Sequence, residues 1–166
     1  DADFFRFRTP ADGTVFVSNL AGSTSYVLFP YPLSLRNLDY LSERSVDRGK
    51  SPLGIHLPGG EYQFITGYAY GQTALRLSWS ARALPVLRPG GSTSLAFPGQ
   101  RIVRIIIPPV SRVRLATSGS TARLAPQLKL HNRNMEVCCV LSALGTARDP
   151  GYIGDLPAGT YYARFH

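Results

Sequence analysis

Apolar residues recur at every second position in short runs along this chain, and no long window keeps a helical period. Phe5 and Phe7 alternate with Arg6 and Arg8, and Val113 and Leu115 with Arg112 and Arg114; Ala74-Leu75-Arg76-Leu77-Ser78-Trp79 alternates throughout. Successive side chains on a strand point to opposite faces, so each run predicts a half-buried strand with arginine outward. Thirteen prolines and sixteen glycines separate the runs. That punctuation predicts an all-β fold of sandwich or barrel type.

The same reading places further strands at Ser25–Phe29, Gly54–Leu57 and Tyr62–Ile65. Thr14–Val17 is expected to return from the first strand as a hairpin across the Ala11-Asp12-Gly13 turn. Gly67–Gln72 reads as a turn that sets Tyr68 and Tyr70 on a loop. Leu35, Leu38 and Leu41, at three-residue spacing, suit a short helical turn. Glu43, Arg44, Asp47, Arg48 and Lys50 suit an exposed loop. Residues 81–92, rich in Pro, Arg and Gly, read as a linker. Beyond it, strands are predicted at Thr93–Phe97, Arg101–Ile107, Arg112–Thr117, Ala122–Leu130, Glu136–Leu141 and Tyr161–Phe165. Asp149-Pro150-Gly151 forms a turn before Tyr152-Ile153.

The pattern repeats. Phe7-Arg8-Thr9-Pro10 leads into Val15-Phe16-Val17, and 98 positions later Ile105-Ile106-Ile107-Pro108 leads into Val113-Arg114-Leu115. Leu57-Pro58-Gly59-Gly60-Glu61-Tyr62 recurs at an offset of 99 as Leu156-Pro157-Ala158-Gly159-Thr160-Tyr161. Two landmarks that keep their offset to within one residue predict tandem units of one architecture. The expected fold is therefore two small antiparallel, jelly-roll-like β-sandwiches, 1–82 and 93–166, joined by a linker over 83–92. The copies end differently. The first continues past its aromatic strand to a closing strand at Ala74–Trp79, whereas the second reaches Tyr161–Phe165 and the sequence stops at His166. A sandwich short of one strand exposes unpaired backbone and one side of its core. Three outcomes stay open: Thr93–Phe97 fills the place, the sequence is a truncated one, or a neighbouring subunit donates a strand.

Asp3-Phe4-Phe5-Arg6-Phe7, Pro10-Ala11-Asp12-Gly13-Thr14-Val15 and the two Leu-Pro-x-Gly-x-Tyr segments resemble the bacterial pre-peptidase C-terminal domain family. The resemblance covers both halves. It implies small β-sandwiches appended to secreted proteins, with a non-catalytic, accessory or adhesive role at the cell surface or outside the cell. It also raises calcium, which some related sandwiches bind through acids near the first strand. Asp1, Asp3 and Asp12 are the candidates here, a thin set for an ion that takes six or more oxygens. No protease segment accompanies the two units.

Charge narrows the partners. Lysine and arginine total 18 against 10 acids, a net charge of +8, and sixteen of the eighteen are arginine. This favours an anionic partner, a protein face or a polysaccharide. The arginines are spread along the chain, which argues against a nucleic-acid groove. No apolar run approaches the ~20 residues that span a bilayer, and the sequence contains no basic-then-apolar leader; its start at Asp1 rather than Met fits a cleaved leader or a trimmed chain alike.

Catalysis is not expected. His56 sits between apolar strand neighbours, His131 beside a turn and His166 at the end; Gly90-Gly91-Ser92-Thr93 lacks the lysine of a phosphate-binding loop. Cys138 and Cys139 are adjacent, so a bond between them would be strained. One is expected in the core and the other outward. The candidate contact residues are therefore the arginine faces Arg6/Arg8 and Arg112/Arg114 together with Tyr31, Tyr68 and Tyr70. Two functions follow: an accessory or adhesive surface module, or a structural subunit of a filament or virion assembled by strand or edge complementation.

Overall fold

Alternation over the first half of the chain builds five strands: β1 (Asp3–Thr9), β2 (Gly13–Pro30), β3 (Ser42–Asp47), β4 (Leu53–Leu57) and β5 (Gly60–Ala81). The computed structural model describes residues 3–32, 42–47, 53–94, 102–109, 112–118, 128–141 and 151–165. Contacts divide the chain into two units, Asp1–Leu84 and Pro85–His166. The protein is all-β, its sheets almost wholly antiparallel, with no helix among the described residues. No helix is long and apolar enough to cross a membrane.

In unit 1 the long strands β2 and β5 form one antiparallel ribbon, from Gly13↔Ala81 to Pro30↔Tyr62. Register shifts between Asn19 and Tyr26 interrupt it. Such bulges bend a strand and raise its twist, so one pair of strands can serve two differently aimed half-sheets. Before the bulges the order is β5-β2-β4, with Gly13↔Leu57 and Val17↔Leu53. After them it is β1-β5-β2-β3, with Thr9↔Gly60 and Leu28↔Ser42. Val15, Val17, Ile55 and Leu57 are buried on the first half, Tyr26, Leu28, Tyr62 and Phe64 on the second. Each such side chain contributes roughly 1.5–3 kcal/mol by leaving water. Tyr26 stacks on Phe64 at 4.5 Å between ring centroids and Phe7 on Tyr62 at 5.7 Å, which fixes how β1, β2 and β5 align.

Several local expectations are corrected here. β1 forms no hairpin with the following strand; its whole length pairs with β5, 51 to 63 residues away in sequence. The runs at Thr14–Val17 and Ser25–Phe29 belong to the single strand β2. Gly67–Gln72 is not a turn but the middle of β5, so Tyr68 and Tyr70 sit on a strand. Glu43, Arg44 and Asp47 lie on β3 rather than in a loop. The proposed turn over Leu35–Leu41 lies outside the described residues. Local charge and glycine content favoured loops at these places, and long-range ladder bonds overrode them.

Unit 2 comprises β6 (Val86–Leu87), β7 (Ile102–Ile107), β8 (Arg112–Ala116), β9 (Leu128–His131), β10 (Val137–Leu141), β11 (Gly151–Asp155) and β12 (Gly159–Phe165). They form a sheet of order β10-β9-β12-β7-β6 and the pair β11-β8. Part of the expected linker is thus a strand: β6 pairs with β7, Val86↔Arg104 and Leu87↔Ile105, the one parallel pairing among the described residues. Thr93 and Ser94 carry no strand, and the rest of the strand expected there lies outside the described residues. The core collects Val103, Ile105, Ile107, Leu128, Leu130, Leu156, Tyr161 and Ala163.

The strand pairing of unit 1 recurs in unit 2. Phe7↔Tyr62 becomes Ile105↔Tyr161, shifted by the same 98 and 99 positions found in the sequence. The β2–β4 ladder becomes β8–β11, and the β2–β3 ladder becomes β9–β10. The repeated Leu-Pro-x-Gly-x-Tyr segment has a common physical role. Leu57 and Leu156 fill the core, and four residues back from each tyrosine a proline carbonyl accepts its hydroxyl. The distances are 2.8 Å for Tyr62 to Pro58 and 3.0 Å for Tyr161 to Pro157.

Candidate functional site on the open flank of β8

In unit 1 the strand equivalent to β8 is the first part of β2, and it is paired on both edges: β4 on one side, residues 74–81 of β5 on the other. Leu77 and Trp79 stand opposite Val17 and Val15 and so share their face. Under that cover Val15 and Val17 are 2% and 0% exposed. Gly13 is required for it: a Cβ there would lie 2.2 Å from Trp79 Nε1 and 2.5 Å from the Ser80 carbonyl oxygen.

β8 has only half of this arrangement. It pairs with β11, from Gly151↔Ala116 to Asp155↔Arg112, and with no other strand among the described residues. Val113 and Leu115, 98 positions beyond Val15 and Val17, touch the core yet are only half-buried. Beside them lies a cavity of about 280 Å³. Its described lining comes from Leu87–Gly91, Ile105–Pro108 and Arg112–Leu115, with none from β11. It therefore opens on the flank of β8 that β11 leaves bare. Arg112 and Arg114 are exposed on the opposite face of β8 from Val113 and Leu115, and Arg88 lines the cavity. Chemically this is a strip of backbone donors and acceptors with no partner strand among the described residues, over an apolar floor and edged by cations. Such a strip suits an added strand rather than a small substrate.

The other sequence-predicted residues fall elsewhere. Arg6 and Arg8 are exposed on β1, on the face opposite Phe7 and Thr9. Arg6 pairs with Glu61 and lies over the Tyr31 ring, 4.0 Å from its centroid, while the Tyr31 N–H donates to the Glu61 carbonyl at 2.9 Å. The Arg6 charge is thus shared with a carboxylate and a ring, and Phe4, 64% exposed, adjoins it on the same face. The side chains of Tyr68 and Tyr70 lie outside what the structure describes. Arg6, Arg8 and Tyr31 belong to unit 1, and Arg112 and Arg114 to unit 2.

The acids proposed for calcium do not gather. Asp1 lies outside the described residues. Asp3 opens β1 and Asp12 follows its far end, separated by roughly 20 Å of strand. The Asp12 carboxylate instead accepts the Gly59 N–H at 3.2 Å. Among the described residues no three His, Cys, Asp or Glu side chains cluster at metal distance.

The described histidines and cysteines make the following contacts; His166 lies outside the described residues. His56 shares a hydrogen bond with Thr14 Oγ1 at 2.7 Å, and burial, with Arg82 second, lowers its pKa. His131 is buried and bonded through Nδ1 to the Met135 carbonyl, within the tight turn closed by Asn132 and Glu136. Cys138 is exposed at a bulge of β10, and Cys139 packs on the core, as the adjacent pair implied. Partial burial, then the neighbouring Cys139 thiol, pushes the Cys138 thiol up to about 12.

Sequence reasoning had named Arg112 and Arg114 and the absent closing strand, but missed Leu87, Ile105 and the Arg88–Gly91 turn as walls of the cavity. The 98-residue offset could have found Ile105, the counterpart of Phe7, but not Leu87 or the Arg88–Gly91 turn, which have no counterpart in unit 1. No protein-family model matches the chain, and no curated protein matches it significantly.

Proposed function

We propose that this protein is a non-catalytic interaction module that engages a partner by strand addition along β8. The observation that carries the reading is the contrast between equivalent strands: β2 is covered on both edges, while among the described residues β8 is covered on one. Strand addition gives affinity through backbone hydrogen bonds and selectivity through alternate side chains, here those above Val113 and Leu115. The accessory or assembly role outside the cell, implied by the resemblance to pre-peptidase C-terminal domains, belongs to this same proposal.

Hydrogen–deuterium exchange on the isolated chain tests it. An open edge exchanges fast, so the β8 amides that point away from β11 are expected to exchange far sooner than those of residues 13–19 in β2. Equally slow exchange in both strands would mean that β8 is covered from within, and would overturn the reading.

A second reading, contact with an acidic polysaccharide or matrix, draws on the Arg6–Tyr31 cluster and the neighbouring Phe4. It expects retention on an acidic polysaccharide column that Arg6→Ala reduces. Unchanged retention in that variant would remove it.

A further inference from the structure

Unit 1 carries a worked example of what fits β8. Residues 74–81 run antiparallel to the first part of β2, with Ser80 opposite Thr14, Trp79 opposite Val15, Ser78 opposite Phe16, Leu77 opposite Val17 and Arg76 opposite Ser18. Carried 98 positions along the chain, the same register sets Trp79 over Val113 and Leu77 over Leu115, the two half-buried side chains of the cavity. Ser80 and Ser78 then face Arg112 and Arg114, and Arg76 faces Ala116. No like charges meet.

Resting on the strand-addition reading above, we propose that the occupant of the β8 flank is the closing strand of another copy of this repeat unit. It is an extended segment of the Ala74–Ala81 kind, bound antiparallel to β8 with Leu77 and Trp79 inward. Continuity with an existing interface supports this choice, since the β2–β5 ladder of unit 1 already joins the two surfaces that would meet. The donor strand is itself accessible. Residues 74–81 pair with β2 alone among the described residues, and Leu77 and Trp79 are each 38% exposed. The cations refine the preference. Arg112 and Arg114 face the positions held by Ser80 and Ser78, so an acid at either position gains an ion pair. The occupant of highest affinity is therefore an apolar–acidic alternating version of this strand.

The test adds a capped peptide spanning residues 74–81 to the intact chain and follows amide exchange at residues 112–116, with affinity from fluorescence anisotropy. The expected result is about tenfold slower exchange at the open-edge amides of β8, lost with a Leu77→Asp peptide. A Ser78→Glu peptide is expected to bind about 2- to 5-fold tighter, as an exposed ion pair does. That gain disappears in the Arg114→Glu chain and at high salt. Arg114 is exposed on the face of β8 away from the core, so this variant retains its fold, and the effect of Ser78→Glu is read against the unmodified peptide on the same chain. If β8 exchanges fast and an unrelated alternating peptide protects it while the 74–81 peptide does not, the occupant is wrong and the open-edge reading stands. If β8 is already slow in the isolated chain, both fall. A Ser78→Glu gain that survives Arg114→Glu overturns the assigned register.

Discussion

Units 1 and 2 use one ladder to reach different degrees of closure. Both join their first strand to the aromatic strand after the Leu-Pro-x-Gly-x-Tyr corner, in the same register to the residue, and both hold that corner by a tyrosine hydroxyl on a proline carbonyl. They part company at the edges. In unit 1, β5 runs on for fifteen residues beyond Thr66, and its last eight cover β2. In unit 2, β12 ends at Phe165, and β8 keeps one edge without a described partner. Conversely, β6 lies along the outer edge of β7, while β1 has no such neighbour among the described residues. The lesson is that the central ladder of this architecture forms with different sets of edge strands, while burial beside an edge follows its cover: Val15 and Val17 are buried, Val113 and Leu115 half-buried.

The corner offers the strongest test of that sameness. Leu57→Ala and Leu156→Ala each remove a buried leucine from equivalent places, and each is expected to destabilise its own unit by about 3 kcal/mol. Chemical denaturation read by probes in each unit should give matched losses. A loss in one unit alone would break the equivalence.

Next in size, Gly13→Ala should make unit 1 resemble unit 2. The new methyl meets a backbone carbonyl as well as Trp79, so residues 74–81 must lift from β2, at a cost of about 2 kcal/mol. Exchange at 74–81 is expected to rise towards that of β8. The released strand becomes a donor, so light scattering should show mass above the 18.1 kDa chain, increasing with concentration. A variant with an unchanged mass and a protected strand would contradict the role given to Gly13.

Smaller again, Tyr62→Phe and Tyr161→Phe each leave a proline carbonyl without its hydroxyl donor. About 1 kcal/mol should be lost in either unit, read from urea midpoints at constant slope. The Tyr161 loss is expected to be the lesser, since Tyr161 is 8% exposed and Tyr62 1%.

The least effect is a pH dependence confined to unit 1. Burial lowers the His56 pKa from 6.5, so the unfolded chain binds this proton more readily than the folded one. Stability on this account is full above pH 6.5 and declines as the pH falls through the lowered folded value. His56→Gln should flatten that decline in thermal melts between pH 7 and 5 and leave unit 2 untouched. An unaltered slope would assign the dependence to another group.

Much of this was legible in the chain. Alternation of Phe5 and Phe7 with Arg6 and Arg8 gave β1 and its exposed arginines, and Arg112–Leu115 gave β8 with its inward and outward faces. The site was legible in outline because the repeat offset sets Val113 and Leu115 at the places of Val15 and Val17. What stayed hidden was everything that depends on distant partners. Gly67–Gln72 looks like a turn, yet it lies within β5 because β2 supplies its hydrogen bonds across more than forty residues of intervening chain. Val86–Leu87 looks like linker until β7 lies beside it.

The sequence by itself determined the β architecture, the repeat with its 98–99 spacing and the side-chain alternation of the short strands. These follow from side-chain alternation and turn residues, which act within a few positions. Only the tertiary structure decided which strands pair, that β2 and β5 are continuous, and where the uncovered edge and its cavity lie. Ladder hydrogen bonds and core burial are made between segments far apart in the chain, and no local pattern records which of several compatible edges they will join.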